Sequence, residues 1–452
     1  MANPNIFLVV LDSVRKDHLS TYGYGRPTTP TLDEFADIST KYTQAFSAGP
    51  WTPVSHGVMF TGQWPSNGGV YGLQPDLATD RPHIAELLSD IGYYTVGFSN
   101  SYHTSPDHGF DRGFDYYHDI LSLPRFAGNM YEPSLTFVQH LYDYFVRDYD
   151  DSSFQLNKML DRLDSTRQPI FGFINMNSAH SPYNPPSEFK REFESYVDGV
   201  EAADREVAAA YSKDAYQYFI DELEMSAPEW ELVKGWYDGE IRYMDMLLEK
   251  FFQFLKSNGM FDDSMIIITS DHGEFFGEGG MVYHQFSLAD ILLNVPLLIK
   301  WPEQNEPRVS EDLVSLVDLA PTALSQTTQS TPESMDGLDL SETPDREAIY
   351  AEYAGPSESI ARRMAAAGDQ YASYTRGLQA VRTANHKLVV SADGERRLYE
   401  VADGSEEEIT DEDLTDQLQE RLDGTLDRLP EASVSEDLDP HIEDHLRDMG
   451  YM

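Results

Sequence analysis

Cysteine is absent from this 452-residue chain. That absence excludes disulfides, thiolate zinc sites and cysteine nucleophiles together. Basic residues are the second shortage: 32 Lys plus Arg stand against 78 Asp plus Glu, a formal net charge of −46. Nucleic acid and anionic membrane surfaces are therefore unfavourable partners, because both are held by clustered bases that release counterions. The acids are spread along the whole chain and lysine is scarcer than arginine. This is the pattern of a solvated, halophilic surface, where high salt screens self-repulsion; binding of a cation or basic partner is the alternative. Long apolar runs are missing too, and no stretch approaches the ~20 residues that a membrane span needs. The opening Met1-Ala2-Asn3-Pro4-Asn5 has no basic region, and the apolar run from Ile6 to Leu11 is short for a signal peptide. A soluble, cytoplasmic protein is expected.

Apolar and aromatic residues are plentiful, at 40% and 12% of the chain, so a sizeable core can form and a disordered acidic protein is excluded. Ile6 to Leu11, Pro169 to Asn175, Met265 to Thr269 and Val295 to Trp301 are continuous branched or aromatic runs. They predict strands buried on both faces. Tyr94 to Phe98 is a further strand, whereas Thr52 to Gly62, His83 to Leu88 and much of residues 190–260 read as helix, with Gly259 as a stop after Asp238 to Leu255. Strands alternating with helices predict an α/β fold with a large, mostly parallel sheet sandwiched by helices. Ligands in such sheets bind beyond the C-terminal strand ends. Three of these strands run into Asp12, into Asn177-Ser178-Ala179-His180 and into Asp271-His272.

Ala348 to Glu352, Gly377 to Thr383 and Lys387 to Val390 predict a small antiparallel sheet. The expected organisation is a catalytic α/β domain over 1–345, a small C-terminal subdomain over 346–400, and an acidic tail over 401–452. Glu443 to Leu446 is a candidate terminal helix in that tail.

Several short stretches occur in a telling order: Leu11-Asp12-Ser13-Val14-Arg15-Lys16-Asp17-His18-Leu19, Thr21-Tyr22-Gly23-Tyr24, Thr29-Pro30-Thr31-Leu32-Asp33, Thr52-Pro53-Val54-Ser55-His56 before Thr61-Gly62, Asp238-Gly239-Glu240-Ile241-Arg242-Tyr243, Thr269-Ser270-Asp271-His272-Gly273-Glu274, and Val314 to Ala323. On these residues the chain resembles the sulfatase family of the alkaline-phosphatase-like superfamily, in a haloarchaeal type with threonine at the nucleophile position. The resemblance runs over roughly residues 4–400. It implies a divalent metal ion held by Asp12, Asp271, His272 and the Thr52 hydroxyl. A shell of mostly oxygen donors suits Ca²⁺, Mg²⁺ or Mn²⁺, with Zn²⁺ possible. The second aspartate that the family often carries after the first is Ser13 here.

The family nucleophile is a Cys or Ser oxidised to formylglycine. Counting back from Thr61-Gly62 places Thr52 at that position and His56 at the motif arginine. A secondary alcohol oxidises to a ketone, so no formylglycine is expected, and Thr52 would attack directly as a metal-bound alkoxide. A helix N-cap, worth about 1 kcal/mol, is its structural alternative. The resemblance further implies that His180 binds the ester oxygens and that His284 stands near the leaving group, each a candidate general acid. Arg15 is expected to brace the metal carboxylates or touch the anion. Ser99-Asn100-Ser101-Tyr102 replaces the family's Gly-Lys-x-His, so a cationic grip is missing and Asn100 is left as a hydrogen-bond donor.

The implied activity is hydrolysis of a sulfate or phosphate ester of a small molecule or glycan. The alternatives are a phosphodiesterase, a phosphoglycerol or phosphoethanolamine transferase, or a silent metal-binding member of the fold. Residues 110–165 and 185–235 are the expected substrate loops, with Tyr116, Tyr117, Phe126, Tyr131, Tyr142 and Trp230 as candidate sugar platforms. Oligomeric state is open.

Overall fold

The computed structural model describes residues 3–70, 77, 81–119, 151–164, 169–220, 222–402 and 404–427. Among the described residues, ten strands precede residue 316: β1 (Ile6–Leu11), β2 (Thr40–Phe46), β3 (Tyr94–Ser99), β4 (Tyr116–Asp119), β5 (Ile170–Met176), β6 (Met265–Thr269), β7 (Phe275–Phe276), β8 (Val282–Tyr283), β9 (Leu297–Lys300) and β10 (Arg308–Ser315). Eight of them form one sheet in the order β10-β2-β9-β6-β1-β5-β3-β4, while β7 and β8 pair as a separate hairpin. β9 runs antiparallel to both its neighbours, and every other pair is parallel. The expected mostly parallel sheet is therefore present, with one reversed strand inside it.

The continuous apolar runs lie at the centre. Every residue of β1, β5 and β6 is buried, because helices cover both faces and leave no solvent side to require alternation. The edge strand β10 and its neighbour β2 behave differently. β10, Arg-Val-Ser-Glu-Asp-Leu-Val-Ser, buries only its last three residues, and β2 carries Lys41 and Gln44 among its apolar positions. Neither offers a continuous apolar run, and both escaped the sequence reading.

The helical stretch at 190–260 breaks into Ser187–Glu194, Ala202–Lys213, Tyr216–Phe219 and Ala227–Ser257. The last is 31 residues long and opens with a Ser226/Glu229 capping box. It gives way to Asn258 and to Gly259 at φ 65°. Among the described residues no helix is long and apolar enough to cross a membrane.

The C-terminal sheet is larger than expected. β11 (Ile349–Tyr353), β12 (Leu378–Arg382), β13 (His386–Ser391), β14 (Arg396–Ala402) and β15 (Ser405–Ile409) form an antiparallel meander in chain order. The expected solvated tail from residue 401 is corrected here: β15 and the helix Glu412–Asp423 are ordered, and Leu418 and Leu422 of that helix are buried. The acids of this stretch hid its role. Glu406 is paired to Lys387, which also meets Asp290 at 3.1 Å, and Asp290 in turn accepts from Arg382 at 3.1 Å. Glu443 to Leu446 lies outside the described residues.

Glu352 on β11 fastens this sheet to the segment that leads into the Thr52 helix. Its amide donates to the Ala48 carbonyl at 2.9 Å. Its carboxyl accepts from the Ser66 amide at 2.6 Å and from Gln379 Nε2 at 2.7 Å. Burial pushes that carboxyl from 4.5 up to about 7. The folded chain then keeps a proton that the unfolded chain releases, so stability falls as pH rises across that window, by on the order of 3 kcal/mol. Glu352→Gln is expected to flatten the slope of urea-unfolding free energy between those two pH values. A wild-type slope in the variant would place the titration elsewhere.

Candidate active site

β1 lies between β5 and β6 and is parallel to both, so the C-terminal ends of all three open on one edge. Asp12 follows β1 directly, Asn175 sits at the end of β5 beside Val10, and Asp271-His272 follow β6 after Ser270. Candidate ligand atoms of Asp12, Asp271 and His272 lie within 4.8 Å of one another, and all three residues are fully buried.

Each carboxylate is held from the side. Asp12 accepts from Asn175 Nδ2 at 3.0 Å and from the Ser13 hydroxyl at 2.9 Å. Asp271 Oδ1 accepts from the amides of Ser13 and His272 at 3.0 and 2.9 Å. Asp271 Oδ2 is buried with no hydrogen-bond partner. It lies 3.4 Å from His272 Nε2 and 3.7 Å from His56 Nδ1. Burial raises the Asp271 carboxyl, and the His56 ring and the amides of Ser13 and His272 work against that rise. His272 Nδ1 donates to the Gly273 carbonyl at 3.0 Å, and burial pushes the ring down to about 3, leaving it neutral. Asp271 Oδ2 and His272 Nε2 thus face each other at 3.4 Å. The donor set fits a divalent cation with mixed oxygen and nitrogen ligands.

Thr52 is the first residue of the Thr52–Thr61 helix. Trp51 occupies the cap and makes no side-chain capping bond, so the expected capping alternative for Thr52 does not hold. Its Oγ1 instead lies 3.4 Å from His272 Nε2, at a helix N-terminus that favours negative charge. One turn on, His56 Nδ1 donates to the Thr52 carbonyl at 2.9 Å. Ser55 ties the approach to the helix through Ser47 Oγ at 2.6 Å and the Gly49 carbonyl at 3.1 Å.

The loops that deliver these groups are tightly constrained. Ser13 adopts φ 62°, the left-handed region. Tyr237, from the Ala227–Ser257 helix, clamps it: the phenol donates to the Ser13 carbonyl at 2.7 Å and accepts from the Arg15 amide at 2.7 Å. Gly273 has no room for a side chain, since a Cβ there would stand 2.2 Å from the Ile291 carbonyl oxygen.

The other expected residues divide. The rings of His272 and His284 stack at 4.3 Å between centroids, and His180 lies edge-on to His284 at 5.3 Å. Burial pushes His284 down to about 3. Arg15 does not make the expected brace to Asp12 or Asp271. Its guanidinium bonds to Asp17, to Glu278 at 2.7 Å and to the Glu274 carbonyl at 3.1 Å; none of these bonds reaches Asp12 or Asp271. Asn100 accepts from Gln155 through Oδ1, and its Nδ2 is buried without a partner. Trp230 packs edge-on against Tyr211 and Tyr218 rather than standing as a platform. Phe126, Tyr131 and Tyr142 lie outside the described residues.

Four contributors escaped the sequence reading as site residues. Asn175 is a polar residue within an otherwise apolar buried strand, and that mismatch was its signal. Glu274 ends the Asp271-His272-Gly273-Glu274 stretch, is buried, and meets His284 Nδ1 at 3.2 Å. Burial pushes its carboxyl up to about 7, against the imidazoles of His180 and His272. His56 stood at the motif-arginine position, but its contact to Asp271, like that of Tyr237 to Ser13, crosses the fold and left no local signal.

The sulfatase family model matches residues 4–329. This chain belongs to the sulfatase family. Among curated sulfatases it is 22% identical over 405 residues to an arylsulfatase of Clostridium perfringens, covering 77% of this chain and 80% of that protein. Iduronate 2-sulfatase of Homo sapiens is 23% identical over 376 residues, covering 74% and 66%. The match to an uncharacterized Escherichia coli sulfatase, YdeN, spans only 56% of that protein's length. Solved structures share the fold. A sulfatase described as putative from Bacteroides thetaiotaomicron has a TM-score of 0.71 at 16% identity, covering 97% of this chain and 96% of that one. The phosphonate monoester hydrolase of Agrobacterium radiobacter has a TM-score of 0.67 at 23% identity, covering 88% and 89%.

Two substitutions test the scaffold of this sulfatase-family site. Tyr237→Phe removes a buried bridging hydroxyl and is expected to lower unfolding free energy by about 1–3 kcal/mol in urea melts. Gly273→Ala must displace Ile291 or the ligand loop. It is expected to weaken Mn²⁺ binding at least ~10-fold by calorimetry, and unchanged affinity would show that the loop is not constrained as described.

Proposed function

We propose that this sulfatase-family chain is a metal-dependent hydrolase of sulfate or phosphate esters that uses unmodified Thr52 as its nucleophile. One observation carries the reading: Thr52 Oγ1 opens a helix, does not cap it, and lies 3.4 Å from His272 in the Asp12–Asp271–His272 cluster. Asp12, Asp271 and His272 would hold a divalent cation, with Ca²⁺, Mg²⁺ and Mn²⁺ ahead of Zn²⁺. When bound, it supplies a Lewis acid that acidifies an adjacent hydroxyl and neutralises charge on the transferred group. The chain's own groups do the rest. Thr52 Oγ1 attacks sulfur or phosphorus in line, with the positive end of its helix favouring the developing negative charge. His180 holds the ester oxygens, and His284 exchanges protons. Arg15 positions the loop bearing Glu274 through that residue's carbonyl.

A second reading, a phosphodiesterase or phosphonate monoesterase, is favoured by His56 and Asn100 standing at the positions where the family carries arginine and lysine. A site without those cations discriminates against dianionic phosphate monoesters. It favours monoanions: sulfate monoesters, phosphodiesters and phosphonate monoesters. The names of the similar proteins, an arylsulfatase and a phosphonate monoester hydrolase, fit this range. A small-molecule or glycan ester in a salt-rich cytoplasm is the setting that the composition supports.

Thr52→Ala is expected to reduce kcat at least ~1,000-fold with an unchanged circular dichroism spectrum. Retained turnover would remove Thr52 as nucleophile, and equal turnover with and without chelator would remove the cation. With the wild type, kcat/KM for 4-nitrophenyl sulfate or bis(4-nitrophenyl) phosphate is expected to exceed that for 4-nitrophenyl phosphate at least ~10-fold, or about 1.4 kcal/mol.

A further inference from the structure

An unmodified threonine leaves a chemical problem that a formylglycine does not. The Thr52 ester has no hemiacetal through which to collapse, so water must cleave it, and that water needs a base. The β7–β8 hairpin holds a candidate. Phe275 pairs with Tyr283 and Phe276 with Val282, so the residue before β7, Glu274, and the residue after β8, His284, stand opposite each other. Glu274 Oε2 lies 3.2 Å from His284 Nδ1. The hairpin is fixed on several sides. Arg15 reaches the Glu274 carbonyl at 3.1 Å and Glu278, in the connecting turn, at 2.7 Å. Tyr283 stacks on Tyr216 at 4.9 Å and accepts from Ser181 Oγ at 3.2 Å.

The backbone around His284 is strained as well. Tyr283 at φ 60° and Phe286 at φ 69° are both non-glycine residues in the left-handed region. Such strain persists where surrounding structure over-determines a geometry, and it clusters at functional sites. One face of the His284 ring is covered by His272, with centroids 4.3 Å apart. With Nδ1 turned to Glu274, Nε2 is the ring nitrogen left for chemistry.

We propose that Glu274 is a positioning residue that holds His284 as the Nδ1–H tautomer, making Nε2 the base for hydrolysis of the Thr52 ester. The inference rests on Thr52 being the nucleophile. In this step the water oxygen bonds to sulfur or phosphorus while the bond from that atom to Thr52 Oγ1 breaks. The water proton passes to His284 Nε2, the released electron pair stays on Thr52 Oγ1, and the proton then returns to that oxygen.

The test is burst kinetics with 4-nitrophenyl sulfate and bis(4-nitrophenyl) phosphate on Glu274→Gln and His284→Asn, with intact-protein and peptide mass spectrometry. Because nitrophenolate leaves without a general acid, both variants are expected to release about one nitrophenolate per chain in a burst and then to turn over ~100-fold more slowly. The peptide containing Thr52 should gain the mass of one sulfuryl or phosphoryl group, and Glu274→Asp should restore part of the second phase. A slowed first turnover without an adduct, or unchanged steady-state turnover in Glu274→Gln, would overturn the assignment. Failure of the Thr52 reading looks different: Thr52→Ala stays active and no variant forms the adduct.

A measurement on the wild type guards against a misfolded variant. Histidine-selective ¹⁵N NMR, assigned through His284→Asn, is expected to show His284 protonated at Nδ1 and bare at Nε2. The opposite tautomer in the wild type would refute the proposal.

Discussion

Two fully buried carboxylates share a small space with a neutral imidazole, and the architecture of the site follows from that burden. Asp12, Asp271 and His272 are screened from water at the ends of adjacent strands. Buried acids without a nearby cation are costly, so every neighbouring device supplies a donor or prevents relaxation. Ser13 is strained to bring its amide to Asp271 and its hydroxyl to Asp12. Asn175 spends its amide on Asp12. Gly273 keeps the ligand loop tight against Ile291. The oxygen still without a partner, Asp271 Oδ2, marks the direction in which positive charge is wanted.

The second consequence is rigidity at longer range. The Ala227–Ser257 helix contributes Tyr237 to the Ser13 turn. It also contributes the buried Asp238, which accepts from His18, Tyr24 and Arg26 at 2.7, 2.9 and 2.7 Å. A single helix thereby pins the loop after β1 at several points. On the other side, Glu352 joins the C-terminal meander to the segments flanking the Thr52 helix, and the Asp290–Lys387–Glu406 network joins it to the Asp290–Leu293 helix. The acid excess thus contains two populations. Most acids among the described residues are at least partly exposed, whereas Asp238, Asp290 and Glu406 are matched to specific cations across the fold.

Much of the fold was legible in the chain because its central strands are buried on both faces. Burial on both sides demands continuous apolar runs, and Ile6 to Leu11 and Met265 to Thr269 supply them. The edge strand β10 and its neighbour β2 are only partly buried, so neither left a comparable mark. The acidic segment after residue 401 misled for a related reason. β15 uses its glutamates at the surface and against Lys387, and the Glu412–Asp423 helix needs only two buried leucines to dock. Neither produces a pattern that differs from a solvated tail.

At the site, the chain by itself determined the candidate reacting groups. The absence of cysteine, the position of Thr52, and the Asp-His pair after an apolar strand are facts of local order. Their chemical meaning survives without coordinates, because a secondary alcohol cannot become an aldehyde in any fold. Only the tertiary structure decided the partners. Arg15 lies three residues from Asp12 yet turns to Asp17, Glu278 and the Glu274 carbonyl, while Asn175, 163 positions away, holds the carboxylate. Likewise, Glu274 and His284 became a pair only because a short hairpin closes between them. Hydrogen bonds are formed by proximity and direction in space, and the packing of strands and helices alone sets both.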